Sequence, residues 1–150
     1  MPPCHPPPPD PVSAVIDTNV ILDWLVFDNA DAARLAASIQ SGRLRWVATP
    51  DMRGELEHVL TRGALQKWCP QPDRILRAWD DWAQPAPGST VLAHHGLHCL
   101  DADDQKFIDL AIGTRSSWLF TRDRSLLRLR RRARRLGVEV LTPTAWLATQ

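Results

Sequence analysis

Two spacings of apolar residues alternate along this chain. Short runs of consecutive apolar residues are typical of strands buried on both faces, and they occur at 13–18, 45–49, 117–121 and 138–142, with a further candidate at 89–93. Apolar residues repeated every three or four positions are typical of amphipathic helices. Such segments occupy 19–27, 31–42, 50–63, 72–85, 101–115, 125–137 and 143–150. Strands that alternate with helices predict an α/β fold with a central, mostly parallel sheet.

The N-terminal segment "MPPCHPPPPDP" does not fit this pattern, because it contains seven prolines in eleven residues. We therefore expect an extended, disordered tail at 1–12 and one folded domain at 13–150. No apolar run approaches the roughly 20 residues that span a bilayer, and the N-terminus lacks the features of a signal peptide. Three widely spaced cysteines without a C-x-x-C pair favour a reducing cytoplasm.

Charge is distributed unevenly, although the net charge is only +1. Nine arginines and one acid, Asp123, lie between Arg115 and Arg135. Such a segment favours a polyanionic partner, and a solvated helix face is the alternative.

Two acids are placed at the ends of predicted strands. Asp17 ends the first strand, and Asp123 follows the strand at 117–121 by two residues. In a parallel sheet these positions lie at the carboxyl edge, where ligands bind. A turn or a helix N-cap is the alternative for each acid.

Two further acids lie on or beside the apolar faces of predicted helices. Asp104 falls on the midline of the apolar stripe of helix 101–115, and Glu55 borders the stripe of helix 50–63. The alternatives are a partly exposed helix-dipole acid for Asp104 and a boundary residue reaching water for Glu55.

Four carboxylates from four segments could thus converge on one sheet edge. Clustered like charges repel unless a cation lies among them, and ligand sets made only of oxygen favour Mg²⁺ or Mn²⁺. Such an ion activates water and neutralises charge on a phosphoryl group. Together with the nearby arginines, this chemistry indicates a nucleic-acid substrate.

The chain resembles the PIN domain family, from about Val15 to Leu147. The similarity lies in the order and spacing of "VIDTNVIL", "TPDMRGELEHVL", "DADDQKFIDLAI", "LFTRDRSLL" and "GVEVLTPTAWL". The branch it resembles most is that of bacterial toxins of toxin–antitoxin pairs. The resemblance implies a three-layer α/β/α fold and a Mg²⁺- or Mn²⁺-dependent ribonuclease, with an antitoxin protein as partner.

Carried over by motif, the residues that the resemblance implies for catalysis and metal binding are Asp17, Glu55, Asp104 and Asp123, with Asn19 and Thr121 in support. The chain departs from the family at Ser125, where a further acid is common. Asp101 or Asp103 could then supply an extra acid, although turn and capping roles are the preferred interpretation for both.

Partner contacts are predicted from charge and exposure. Arg122, Arg124 and Arg128 are expected to bind the RNA backbone, and an acidic antitoxin segment is a further possible use of the basic helix. Tryptophans expected to be exposed on the helix at Arg74–Trp82 suggest a homodimer. The alternative function is a catalytically inactive PIN-fold module that binds RNA or a protein.

Overall fold

The computed structural model describes residues 12–86 and 95–150. The proline-rich tail lies outside the described residues, except that Val12 already begins the first strand. The candidate strand at 89–93 also lies outside them.

A five-stranded sheet forms the centre of the described chain. Its strands are β1 (Val12–Ile16), β2 (Leu44–Ala48), β3 (Ala83–Pro85), β4 (Trp118–Phe120) and β5 (Glu139–Leu141). Their order is β3-β2-β1-β4-β5, and all four pairings are parallel. The strand order reverses at β1, because β2 and β3 extend to one side while β4 and β5 extend to the other. Such a switch point opens a crevice beyond the carboxyl ends of β1 and β4.

Helices cover both faces of the sheet, which confirms the predicted three-layer α/β/α architecture. α5 packs on β1 and β4, and α2 packs on β2. The helices are α1 (Thr18–Leu25), α2 (Ala30–Gln40), α3 (Pro50–Thr61), α4 (Pro72–Trp82), α5 (Gln105–Gly113), α6 (Arg124–Leu127), α7 (Arg130–Arg135) and α8 (Pro143–Leu147). Two 3₁₀ segments, Gly63–Trp68 and Ala102–Asp104, lie between them.

The predicted helix at 72–85 is too long. Its last three residues form β3, which pairs with β2 and contributes an edge strand. The physical reason is Pro85: the residue before a proline is disfavoured in the helical conformation, whereas an edge strand tolerates proline.

The predicted basic helix at 125–137 is divided into α6 and α7. The N–H of Leu129 bonds to the carbonyl of Leu126, three residues back, so the turn between the helices is tighter than an α-helical turn. Leu126 and Leu129 are both buried, and the tight turn places both of them against the core. The predicted helix at 101–115 likewise begins as a 3₁₀ turn.

Tryptophans fill the core beneath α4. Trp46 of β2 is fully buried and meets Trp79 edge-on at 4.7 Å between ring centroids. Trp79 is only 6% exposed and Trp82 is half-buried. The suggestion of exposed tryptophans on α4 is therefore wrong, and the argument for a homodimer at this helix loses its basis.

In the described part of the chain, every helix is too short or too polar to cross a bilayer.

Candidate metal centre

Asp17 lies at the switch point, directly after β1. Ile16 pairs with Phe120 in the ladder, and the N–H of Asp17 donates to the Phe120 carbonyl at 2.9 Å. The backbone of Asp17 is thereby held against the end of β4. Because α1 begins at Thr18, the Asp17 side chain projects from the junction between a central strand and a helix.

The Asp17 carboxylate is buried and accepts a hydrogen bond from the residue that directly follows β4. It is 4% exposed, and Thr121, which is fully buried, donates its hydroxyl to Oδ2 of Asp17 at 2.6 Å. Asp17 occupies the N-cap position of α1, but its side chain makes no capping hydrogen bond. Capping of α1 therefore does not explain why this carboxylate is buried.

Asp123 both caps a helix and faces the same site. Its Oδ1 accepts hydrogen bonds from the Ser125 N–H at 2.8 Å and from the Ser125 hydroxyl at 2.7 Å. Its own N–H donates to the Thr121 hydroxyl oxygen at 2.9 Å. Thr121 therefore joins Asp17 and Asp123 through one hydroxyl group.

Asp104 completes a cluster of three acids. It ends the 3₁₀ turn before α5, and the Ser125 hydroxyl lies 3.4 Å from its Oδ2. One carboxylate oxygen from each of Asp17, Asp104 and Asp123 lies within 4.8 Å of the other two. Three of the four predicted acids are thus brought together.

Glu55, the fourth predicted acid, is held beside this cluster by other partners. Thr18 donates its hydroxyl to Oε2 of Glu55 at 2.7 Å, and Nζ of Lys106 lies 2.9 Å from Oε1. Glu55 is close enough to Asp17 for its charge to raise the pKa of that acid. It is not one of the three acids whose oxygens converge.

Crowding and burial alter the acidities within the cluster. Burial is the main cause that raises the pKa of Asp17 from 3.8 to about 6, against the opposing hydrogen bond from Thr121. Burial also raises the pKa of Asp104 to about 8, with further contributions from its hydrogen bond to Asp123 and from neighbouring negative charges. Hydrogen bonds from Asp104 and Ser125 lower the pKa of Asp123. Asp104 is therefore the more basic of these two neighbouring acids.

The remaining predicted acids lie outside the cluster. Asp101 and Asp103 are exposed, and Oδ1 of Asp101 accepts the N–H of Asp103 at 3.0 Å. Asp101 thus caps the 3₁₀ turn, as the preferred interpretation expected.

Asn19 lies in the first turn of α1. Its Oδ1 is buried and has no hydrogen-bond partner among the described protein atoms. An unsatisfied buried acceptor is costly, so this oxygen is available to a donor that the protein itself does not supply.

The three predicted RNA-binding arginines differ in their surroundings. Arg122 makes a two-pronged ion pair with the buried Asp23 of α1, including a bond of 2.9 Å from Nη2 to Oδ1. Arg124 and Arg128 are exposed and have no acidic partner among residues 12–86 and 95–150.

Sequence reasoning named Thr121 as a supporting residue but did not assign the other side chains that orient the acids. Thr18 and Lys106 hold Glu55, and Ser125 holds Asp123 while accepting a hydrogen bond from the Cys99 thiol at 3.2 Å. The departure from the family pattern at Ser125 drew attention to that position. Nothing in a single sequence indicates that Lys106 faces an acid 51 residues away.

The donor set fits a small divalent cation. Mg²⁺–oxygen bonds are about 2.1 Å long, so ligand oxygens on opposite sides of one ion lie about 4 Å apart. Three carboxylates within 4.8 Å of one another match this size. Burial and neighbouring negative charges raise the pKa of Asp17 and Asp104, and a cation among these acids would favour their ionised forms. The unpaired Asn19 oxygen adds a hard acceptor near the start of α1.

A sheet with this switch point and acidic cluster belongs to a class of α/β domains that bind ligands at the carboxyl edge. The PIN domain family model matches residues 13–125, about three-quarters of the chain. The chain therefore belongs to the PIN domain family. PIN domains are generally nucleases that act on RNA and typically bind divalent metals. A comparison with curated proteins finds no match to the chain. The segment beyond residue 125, with α7, β5 and α8, lies outside the family match.

Proposed function

We propose that this protein is a Mg²⁺- or Mn²⁺-dependent endoribonuclease that hydrolyses RNA phosphodiester bonds. The observation that carries the proposal is the convergence of Asp17, Asp104 and Asp123 within 4.8 Å at the switch point of the sheet. Membership of the PIN domain family supports it, because that family consists mainly of nucleases.

The three converging carboxylates hold the ion in this proposal. A bound divalent cation lowers the pKa of a water molecule and neutralises charge that develops on the phosphoryl group. Thr121 fixes Asp17, and Ser125 fixes Asp123, so neither carboxylate must be ordered when the ion arrives. Asp104 would have to be ionised to serve as a ligand, since a ligating carboxylate carries no proton.

Glu55 completes the acidic quartet from the side of α3. The Thr18 hydroxyl fixes Oε2 of Glu55, while Lys106 balances the charge on Oε1. Glu55 is thereby positioned to accept hydrogen bonds from water at the edge of the metal site. Lys106 is one-third exposed and offers a positive charge to a phosphate oxygen.

The basic segment after β4 supplies contacts to the RNA backbone. Arg124 follows Asp123 directly and Arg128 lies one helical turn later, so both are near a phosphate held at the cluster. Arg122 keeps one terminal nitrogen, Nη1, outside its two hydrogen bonds to Asp23 and can contribute more weakly.

We further propose that the chain is the toxin of a type II toxin–antitoxin pair, which acts in the cytoplasm and is inhibited by an antitoxin protein. The motifs of the toxin branch support this role. Expression alone should arrest bacterial growth, and coexpression of the neighbouring open reading frame should restore it. Growth arrest that persists in the Asp17→Asn variant would contradict a nuclease toxin.

A cleavage assay tests the enzyme against an inactive binding module. We expect the purified chain to cut single-stranded RNA with Mg²⁺ or Mn²⁺ and to stop in excess chelator. The Asp17→Asn variant should bind RNA without cutting it, whereas Asp51→Asn, an exposed acid on α3, should cut normally. RNA binding without cleavage by the unaltered chain would favour the inactive module.

A further inference from the structure

We infer that a groove along α6 and α7, leading to β5, binds the single-stranded RNA on one side of the cleavage point. This inference rests on the proposed ribonuclease function and extends it to a surface beyond the three predicted arginines.

The groove begins next to the acidic cluster. A cavity of about 430 Å³ is lined by Arg124, Leu127, Arg128, Arg130 and Arg131, and Arg124 adjoins Asp123 in the chain. Arg124 and Arg128 lie one helical turn apart, and Arg131 follows after the tight turn between α6 and α7. All three line the same cavity, so this arginine surface crosses the division between the two helices.

A second cavity continues the groove away from the cluster. It has a volume of about 700 Å³ and shares Leu127, Arg130 and Arg131 with the first. Its far wall consists of β5 and α8, including Leu141 and Thr142, and Trp118 also lines it. From Arg124 to Arg131 the helical rise is roughly 10 Å, so the groove can hold more than one nucleotide.

The charge of the groove favours a polyanion. Four exposed arginines (Arg124, Arg128, Arg130 and Arg131) have no acidic partner among the described residues. The single acid in the walls, Glu139, is neutralised by Arg134 through two hydrogen bonds of 2.9 and 3.2 Å. The walls of the groove therefore carry a net positive charge.

The apolar floor favours a single strand over a duplex. Leu127, Leu141 and Trp118 are half-buried and line the second cavity between the arginines and α8. Unstacked bases can cover such apolar surface, and guanidinium planes stack on bases. A duplex keeps its bases inside and would meet only the arginine tips.

The test uses the full chain with Asp17→Asn, so that cleavage does not interfere. Its affinity for a labelled oligouridine of about 12 nucleotides, a length typical of single-strand sites, is measured at several salt concentrations. The added pair Arg130→Gln and Arg131→Gln should weaken binding about tenfold. It should also lower the slope of log affinity against log salt by about 1.4, since each single-strand phosphate contact contributes about 0.7.

Two comparisons control this measurement. The pair Arg74→Gln and Arg77→Gln removes two arginines from α4 and should leave binding unchanged. An RNA duplex of the same length is the second comparison and should bind more weakly than the single strand, because its paired bases cannot cover the apolar floor.

Several results would overturn the inference. Unchanged affinity after loss of Arg130 and Arg131 would show that the groove does not bind RNA, even if the chain cleaves RNA. Equal binding of an RNA duplex would contradict the single-strand preference. A polyglutamate peptide could bind more tightly than oligouridine and fail to bind once Arg130 and Arg131 are replaced. That result would assign the groove to an acidic protein segment. Groove-dependent binding without any cleavage by the unaltered chain would instead contradict the proposed enzyme alone.

Discussion

Asp17 illustrates how a single residue can be unfavourable for folding and necessary for a site. Its carboxylate is 4% exposed, lies near two other acids and has Thr121 as its hydrogen-bond donor. Burial raises its pKa to about 6, which corresponds to about 3 kcal/mol against the ionised form. In the proposed metal site, a bound cation would offset this cost.

The Asp17→Asn variant should be more stable than the unaltered chain when no metal is present. The folded chain retains a proton on Asp17 that the unfolded chain loses above about pH 4, so ionisation destabilises the fold as pH rises towards about 6. An asparagine oxygen can still accept the Thr121 hydroxyl. In chelator at pH 8 we expect a melting temperature several degrees higher, and at about pH 4 we expect little difference.

The matched control is Asp103→Asn, which neutralises an exposed acid in the turn beside the cluster. It should change the melting temperature little at either pH. A strongly destabilised Asp17→Asn protein at pH 8 would show that the carboxylate is needed for the fold itself.

Lys106 should weaken metal binding, because its ammonium group lies beside the same acids. Replacing it with glutamine removes a positive charge from Glu55 and makes the site more negative. At a few ångströms in a partly solvated site this effect is on the order of 1 kcal/mol, so Mn²⁺ should bind about fivefold more tightly by calorimetry. Lys67→Gln, on the exposed 3₁₀ segment, should have no effect, and weaker Mn²⁺ binding by Lys106→Gln would contradict the argument.

At the scale of elements, the site depends on how the segment after β4 is fastened to α1. The connection is an ion pair between Arg122, which is exposed, and Asp23 of α1, which is only 6% exposed. Removal of one partner from a buried pair leaves an uncompensated charge, which destabilises a protein more than loss of a surface pair does. Arg122 therefore has a structural role that its neighbours Arg124 and Arg128 lack.

Arg122→Gln should lower the free energy of unfolding by about 1–3 kcal/mol, less than for a fully buried pair because half of the arginine side chain is exposed. Arg124→Gln should change it by less than about 0.5 kcal/mol. Urea denaturation measures both values. The double variant Arg122→Gln with Asp23→Asn should recover part of the lost free energy of unfolding. If the effects of the two single substitutions simply add in the double variant, direct coupling between the residues is excluded.

The sequence predicted those elements whose apolar pattern agrees with their final packing. β1, whose last three residues are buried, and the amphipathic α2 and α3 were found, because burial on two faces or on one face leaves a clear pattern. β3 was missed since its three residues, Ala83–Pro85, have no pattern of their own and are fixed by pairing with β2. Asp104 lies with Asp17 and Asp123 in the acidic cluster, but its 3₁₀ turn depends on tertiary contacts that local propensity does not report.

For the whole molecule, metal binding should couple the cluster to global stability. An ion that binds only the folded chain stabilises it by about 2.7 kcal/mol at 100 times its dissociation constant. For a chain of this size, this stabilisation by Mg²⁺ or Mn²⁺ should raise the melting temperature by roughly 5–10 °C.

Ca²⁺ should support cleavage poorly, because its larger and more flexible coordination does not reproduce that of Mg²⁺.

A protein carrying both Asp17→Asn and Asp104→Asn provides the control for this measurement. Its melting temperature should not respond to Mg²⁺ or Mn²⁺, since two of the three converging carboxylates are absent. An equal rise in this variant would show that the ions bind elsewhere, and full activity of the unaltered chain in excess chelator would rule out a metal-dependent reaction.

The bond between Thr121 and Asp17 joins residues 104 positions apart. At about 5–20 residues per second, a ribosome needs about 5–20 seconds to make the stretch between them. Throughout that time β1 lacks its neighbour β4, and the carboxylates of Asp17 and Asp123 have no means of meeting. A growing chain therefore carries no assembled acidic centre beside the message from which it is being translated, and that centre forms only late in its own synthesis.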